Sequence, residues 1–143
     1  MQRFPLCKEL GIGFVACALI CRGLLSEGIT SFHDLASNDF RRKFPRFESE
    51  NLAHNLKIVS ALKKVAHHKP CSLSQLALAW VSSQSDSFIP LFGTTQPAHL
   101  MENANSTELL LTKIEIDEIN EIVSNGVIHG DRHPETIKSR FKN

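Results

Sequence analysis

The chain has 143 residues, 42% hydrophobic and 22% charged, which is the composition of one ordinary globular domain long enough to bury a core. Sixteen Lys+Arg stand against fifteen Asp+Glu, and this near balance removes the electrostatic case for a nucleic-acid or acidic-membrane partner. There is no Tyr, so no mechanism within this chain uses a tyrosine as acid or base.

The first element is the end of a helix over Leu6–Leu10, stopped by Gly11. The uncharged run Gly11–Cys21 is far too short to cross a bilayer as a helix, and no small-residue cleavage site follows it in a polar stretch. Its core, Ile12 to Cys17, reads as a strand covered on both faces, with bounds at about Gly11–Cys17. Residues 21–50 read as irregular and polar. Arg41, Arg42, Lys43 and Arg46 alternate there with Phe40, Phe44 and Phe47, but Glu48 and Glu50 follow, so a solvated loop with buried Phe anchors is expected rather than a nucleic-acid patch.

A helix follows over about Asn51–His68, where Leu52, Leu56, Val59, Leu62 and Val65 share one face. Pro70 breaks it. Ser72 and Gln75 have the spacing of a capping box and open a helix over about 73–82 that is apolar nearly all round. Ser87–Phe92 contains a second short buried strand, expected over about Phe88–Leu91 and parallel to the first. Pro97 suits the first turn of a short helix to about Ala104. Thr112 and Glu115 form a second capping box, opening a helix to about Val123 with Ile114, Ile119 and Ile122 toward one face. From Gly126 on the chain reads as loop and arm.

Cys7, Cys17, Cys21 and Cys71 make no C-x-x-C pair, and free thiols in a cytoplasmic protein are expected. His67, His68 and Cys71 match no common zinc spacing, so no metal is expected.

Together these segments resemble the aldo-keto reductases. Cys7 to Ala16, followed by Arg22-Gly23, resembles the family's seventh-strand region, and Glu50-Asn51-Leu52 resembles the start of its long helix. Gln75 to Val81 is a distinctive match. Ile89-Pro90, Gly93-Thr94 and Glu102-Asn103 resemble the eighth strand and its helix, and Gly130-Asp131-Arg132 with Pro134 resembles a tail motif of a bacterial-type branch. The resemblance implies an α/β fold, a partial (β/α)8 TIM barrel comprising the C-terminal part with the last two strands and their helices, in one domain over 1–143. A whole barrel of this kind takes about 250 residues.

The family's catalytic Asp, Tyr, Lys and His lie in its N-terminal part, so no position here inherits a catalytic role. What the resemblance carries over is the cofactor side, for NADP(H). Thr94, Thr95 and Gln96 would face the adenosine 2′-phosphate, following Gly93. Glu102 and Asn103 would face the adenine, and Arg22 and Gly23 lie in the strap over the pyrophosphate. On the residues alone, Gly93-Thr94-Thr95 fits an ordinary capped turn better than a phosphate site, and Glu102 and Asn103 fit solvent-facing helix residues as well as adenine ligands.

Departures from the family pattern fall on the site. Cys17 replaces the aromatic that stacks on nicotinamide, Ala18 replaces a Ser donor to the pyrophosphate, and Cys21 replaces a Gly. Gln96 and His99 stand where relatives carry basic residues, and Gln96 forfeits a charge-assisted bond to phosphate. The expected function is therefore that of a truncated aldo-keto reductase relative, not catalytic alone, with NADP(H) weak or absent. The alternatives are an interaction or nucleotide-binding module that associates with itself or with a separate N-terminal half, and a gene remnant. The first reading also expects exposed apolar surface where further barrel strands would pack.

Overall fold

The computed structural model describes residues 3–138. Helix α1 (Arg3–Glu9) ends at Gly11, which takes a left-handed φ of 65°. Strand β1 (Phe14–Ala16) follows, then a long connection carrying single 3-10 turns at Phe32–Asp34, Phe40–Lys43 and Pro45–Phe47. Helices α2 (Ser49–His68) and α3 (Leu73–Ser83) lead to strand β2 (Phe88–Pro90). Helices α4 (Pro97–Ala104), α5 (Lys113–Asn125) and the short α6 (Glu135–Lys138) complete the order.

The two strands pair in parallel, with Phe14 opposite Phe88, Val15 opposite Ile89 and Ala16 opposite Pro90. The α/β class and the parallel pairing agree with the sequence reading, although both strands are shorter than expected and, against expectation, neither is covered on both faces. The left-handed turns at Gly11 and Ala18 (φ 60°) bracket β1 and limit how far the ladder can run. Backbone bonds from Phe14 N to Ser87 O and from Leu91 N to Ala16 O close its two ends. On one face Ala16 is buried and the Phe14 and Phe88 rings meet edge to face at 5.4 Å. On the other, Val15 and Ile89 are 56% and 54% exposed. A two-stranded sheet is marginal by itself.

The core lies between helices. Leu52, Val59, Leu62 and Val65 of α2 pack with Leu73 and Leu76 of α3 and Ile119 of α5. Helix α3 also buries Leu78 and Ala79, as its all-round apolarity implies. Both capping boxes form as the sequence indicates, with Ser72 accepting from Gln75 N and Thr112 accepting from Glu115 N. The Lys69 ammonium reaches both Glu115 carboxylate oxygens at 2.7 and 2.8 Å, tying the end of α2 to the start of α5.

Three expectations need correction. The connection 21–50 is more than a loop with Phe anchors, because Leu24, Ile29 and Leu35 join Phe44 and Phe47 in the core, while Phe40 is 59% exposed. Ile114 does not share the buried face of α5 and is 80% exposed. It lies five residues before Ile119, about 140° around a helix of 3.6 residues per turn. The described part of the tail, residues 127–138, is docked rather than an arm, and 139–143 lie outside the described residues. The buried Asn55 side chain donates to the carbonyls of Arg46 and His129 and accepts from His129 N, at 2.9 to 3.1 Å. Gly130, at φ 79°, sits so close to Pro45 that a Cβ there would lie 2.6 Å from its carbonyl.

Candidate cofactor cleft

The parallel strands end on the same side of the molecule, and the chain leaves both through irregular segments. After β1 the backbone turns sharply. Ala18, Cys21, Arg22 and Gly23 all have positive φ (60°, 49°, 58° and 85°), and Cys21 N and Gly23 N bond back to the carbonyls of Ala18 and Ile20. Three of these four carry a Cβ, which costs roughly 1–2 kcal/mol per residue in the left-handed region. At position 21, where the family pattern has Gly, the φ of 49° gives the physical reason for that Gly.

Arg41 braces this turn from outside. Its Nη1 donates to the Arg22 carbonyl at 3.2 Å, and its other guanidinium nitrogens chelate Asp39 at 2.7 to 3.1 Å. The hydrogen bonds from Arg41 hold the Asp39 carboxyl below its ordinary range. A Cβ at Gly23 would meet Arg41 Nη1 at 3.1 Å, so strap and brace are closely fitted.

Between the strap, the Asn38–Arg41 turn and the Leu91–Gly93 segment after β2 lies an open cleft of about 640 Å³. It brings together Arg22, Gly23 and Gly93 of the expected site residues. Thr94, Thr95 and Gln96 follow on an exposed segment outside its lining. The Thr94 hydroxyl accepts from Gln96 N at 3.1 Å, and the Gln96 side chain does not cap α4. Glu102 and Asn103 also lie outside the lining. Asn103 is buried rather than solvent-facing, its carbonyl accepting from Ser106 Oγ at 2.6 Å. The Glu102 carbonyl accepts from Gln75 Nε2 at 2.9 Å, so the α3 capping residue also anchors α4.

The Arg22 side chain turns toward the tail. Its guanidinium carbon lies 4.1 Å over the Phe44 ring, and Nη2 is 3.5 Å from His133 Nδ1. Burial, followed by repulsion from Arg132, pulls the Arg22 pKa down. Sequence reading missed the cleft wall of Asn38, Asp39, Phe40 and Arg41. The alternation of basic residues and Phe was visible, but the Asp39–Arg41 chelate that turns it toward the strap was not. Among the described residues no group of three His, Cys, Asp or Glu side chains is arranged to hold a metal ion.

Residues 2–124 match the Aldo/keto reductase family. The chain belongs to that family. It is 35% identical over 135 residues to the Schizosaccharomyces pombe protein described as aldo-keto reductase yakc [NADP(+)], a match covering 94% of this chain and 40% of that protein. The chain therefore spans about 40% of the length of this curated relative. No helix among the described residues is long and apolar enough to cross a membrane.

Proposed function

We propose that the chain is the cofactor-side, C-terminal part of an aldo-keto reductase (β/α)8 barrel, holding NADP(H) weakly by its adenosine end and not catalytic by itself. The observation that carries this reading is the cleft at the carboxyl ends of two parallel strands, which unites Arg22 and Gly23 with Gly93. In such barrels the loops after the last two strands commonly hold a phosphate. Gly93 and the start of α4 fit the phosphate of the adenosine half, while Asn103 is buried away from it. Gly93 has open space around it, and α4 starts at Pro97 with no side-chain cap over its first N–H groups, where a helix dipole favours an anion. The nicotinamide half is not matched, because Cys17 offers no ring and Ala18 no hydroxyl. Bound NADPH would supply a hydride for a carbonyl carbon, but the absence of Tyr removes the residue that protonates the carbonyl oxygen in the family.

Titration with NADPH and with 2′,5′-ADP, followed by calorimetry and chemical-shift mapping, tests the reading. Equal affinities with shifts at residues 93–103 are expected. Much tighter binding of NADPH would show the nicotinamide end engaged and overturn that part. Aldehyde reduction with NADPH should stay at background, since general acid–base help is worth roughly 10²–10⁴-fold and the chain lacks it. Turnover that follows the protein through purification would sink the non-catalytic reading.

A second reading rests on Val15 and Ile89. Their exposed pair gives the sheet an uncovered apolar face, which suits association with another copy or with a separately encoded N-terminal half. Apparent mass in solution, alone and mixed with such a half, distinguishes this from a solitary chain.

A further inference from the structure

A second cavity, of about 470 Å³, lies behind the strap. Its deep wall is apolar and comes from the helices, with Leu62 of α2, Leu73, Leu76 and Trp80 of α3, and Ile119 and Val123 of α5. Its other wall carries three arginines, Arg22, Arg46 and Arg132, and no Asp or Glu is among its described lining residues. None of the three takes part in an ion pair among the described residues; the pairs found there join Arg41 to Asp39, Lys69 to Glu115 and Lys113 to Asp117. Arg22 contacts Phe44 and His133, and Arg46 donates to the Gly130 carbonyl at 3.4 Å, so the guanidinium groups gather where the tail crosses the strap.

Their mutual proximity shows in what surrounds them. Burial lowers the His133 pKa, and Arg22, Arg132 and Arg46 all push it further down. Burial pushes the Cys21 thiol up, although the same three arginines pull against it. Three guanidinium groups, Arg22 and Arg46 half-buried and Arg132 exposed, stand at the rim of an apolar cavity with no ion-pair partner among the described residues, and guanidinium groups match a carboxylate's two oxygens geometrically. The volume lies within the roughly 300–1,000 Å³ typical of small-molecule pockets.

We propose that this cavity binds a small amphiphilic carboxylate, its head on Arg22, Arg46 and Arg132 and its alkyl chain along the apolar walls of α2, α3 and α5. The site adjoins the cofactor cleft, with Ala18, Leu19 and Arg22 common to both walls. The probe is decanoate, below its micelle-forming concentration, added to the full chain. Trp80 is the only tryptophan and lines the cavity, so its fluorescence reports occupancy. Saturable one-to-one binding with a change in Trp80 emission is expected, with acetate and decanol binding at least about tenfold more weakly because each lacks half of the recognition. Arg46→Gln and Arg132→Gln should each weaken decanoate by about tenfold, the loss of one charge-assisted bond. Both leave the segment 93–103 intact, so binding of 2′,5′-ADP should be unchanged and also reports that the variants are folded. Absent saturation, equal binding of decanol, or decanoate affinity unchanged in the folded double variant would each overturn the proposal.

Discussion

Ala18 shows how a single residue records the history of the strap. It is exposed and holds φ at 60°, where its Cβ is strained. Ala18→Gly should raise stability by roughly 0.5–1 kcal/mol in urea unfolding, because glycine takes this conformation freely. Cys21 is different, since its side chain packs against the core and the same change would lose that packing. Glu115 gives a pH-dependent counterpart. Its carboxylate accepts from Lys69 and from Thr112, which lowers its pKa in the folded state. The stability it contributes is therefore fully present above the unfolded carboxylate pKa and is lost as pH falls through the lower folded value. Glu115→Gln should lower stability at neutral pH and flatten the acid side of the stability profile, measured by urea midpoints from pH 7 downward. Glu115 was legible in the sequence as the N3 residue of a capping box. Its bond to Lys69 was not, because the partners are 46 residues apart.

At the level of elements, what could be read were the features whose causes are local. The apolar face of α2, the two capping boxes, the proline start of α4 and the order of strands and helices all follow from short-range spacing. The connection 21–50 and the tail escaped because their structure comes from distant partners. Asn55 is one polar residue in a helical stretch, and nothing nearby signals that it clamps His129. Asn55→Ala leaves those half-buried backbone groups without their side-chain partner and should cost about 1–3 kcal/mol. Gly130→Ala attacks the same junction from the other side, combining a positive φ with a 2.6 Å clash against the Pro45 backbone. It should release the tail, read as faster hydrogen exchange at the His129 amide and earlier proteolytic cleavage beyond residue 126. Of the cofactor cleft, the strap and Gly93 were legible by resemblance, while the Asn38–Arg41 wall depended on a chelate that spacing does not reveal.

For the molecule as a whole, the sheet is the exposed part and the helices are the finished part. The core residues belong to α2, α3, α5 and the connection, whereas Val15 and Ile89 face outward with Ile12 and Leu91 half exposed beside them. An uncovered apolar face beside open strand edges favours association. Ile89→Lys should reduce concentration-dependent growth in apparent mass, followed by light scattering, while leaving the helical circular dichroism unchanged. Growth that persists in this variant would place the association elsewhere on the surface.

The pairing of Phe14 with Phe88 also sets a timetable. The first strand leaves the ribosome well before its neighbour exists, and at about 5–20 residues per second the wait is roughly 4–15 s. During that interval the run from Ile12 to Cys17 lacks its β2 partner, and the cleft cannot exist until α2 and α3 have been made and have brought β2 alongside. Translation speed through the intervening helices, and any chaperone that shields a short apolar segment meanwhile, therefore bear directly on how much of this chain reaches its native form.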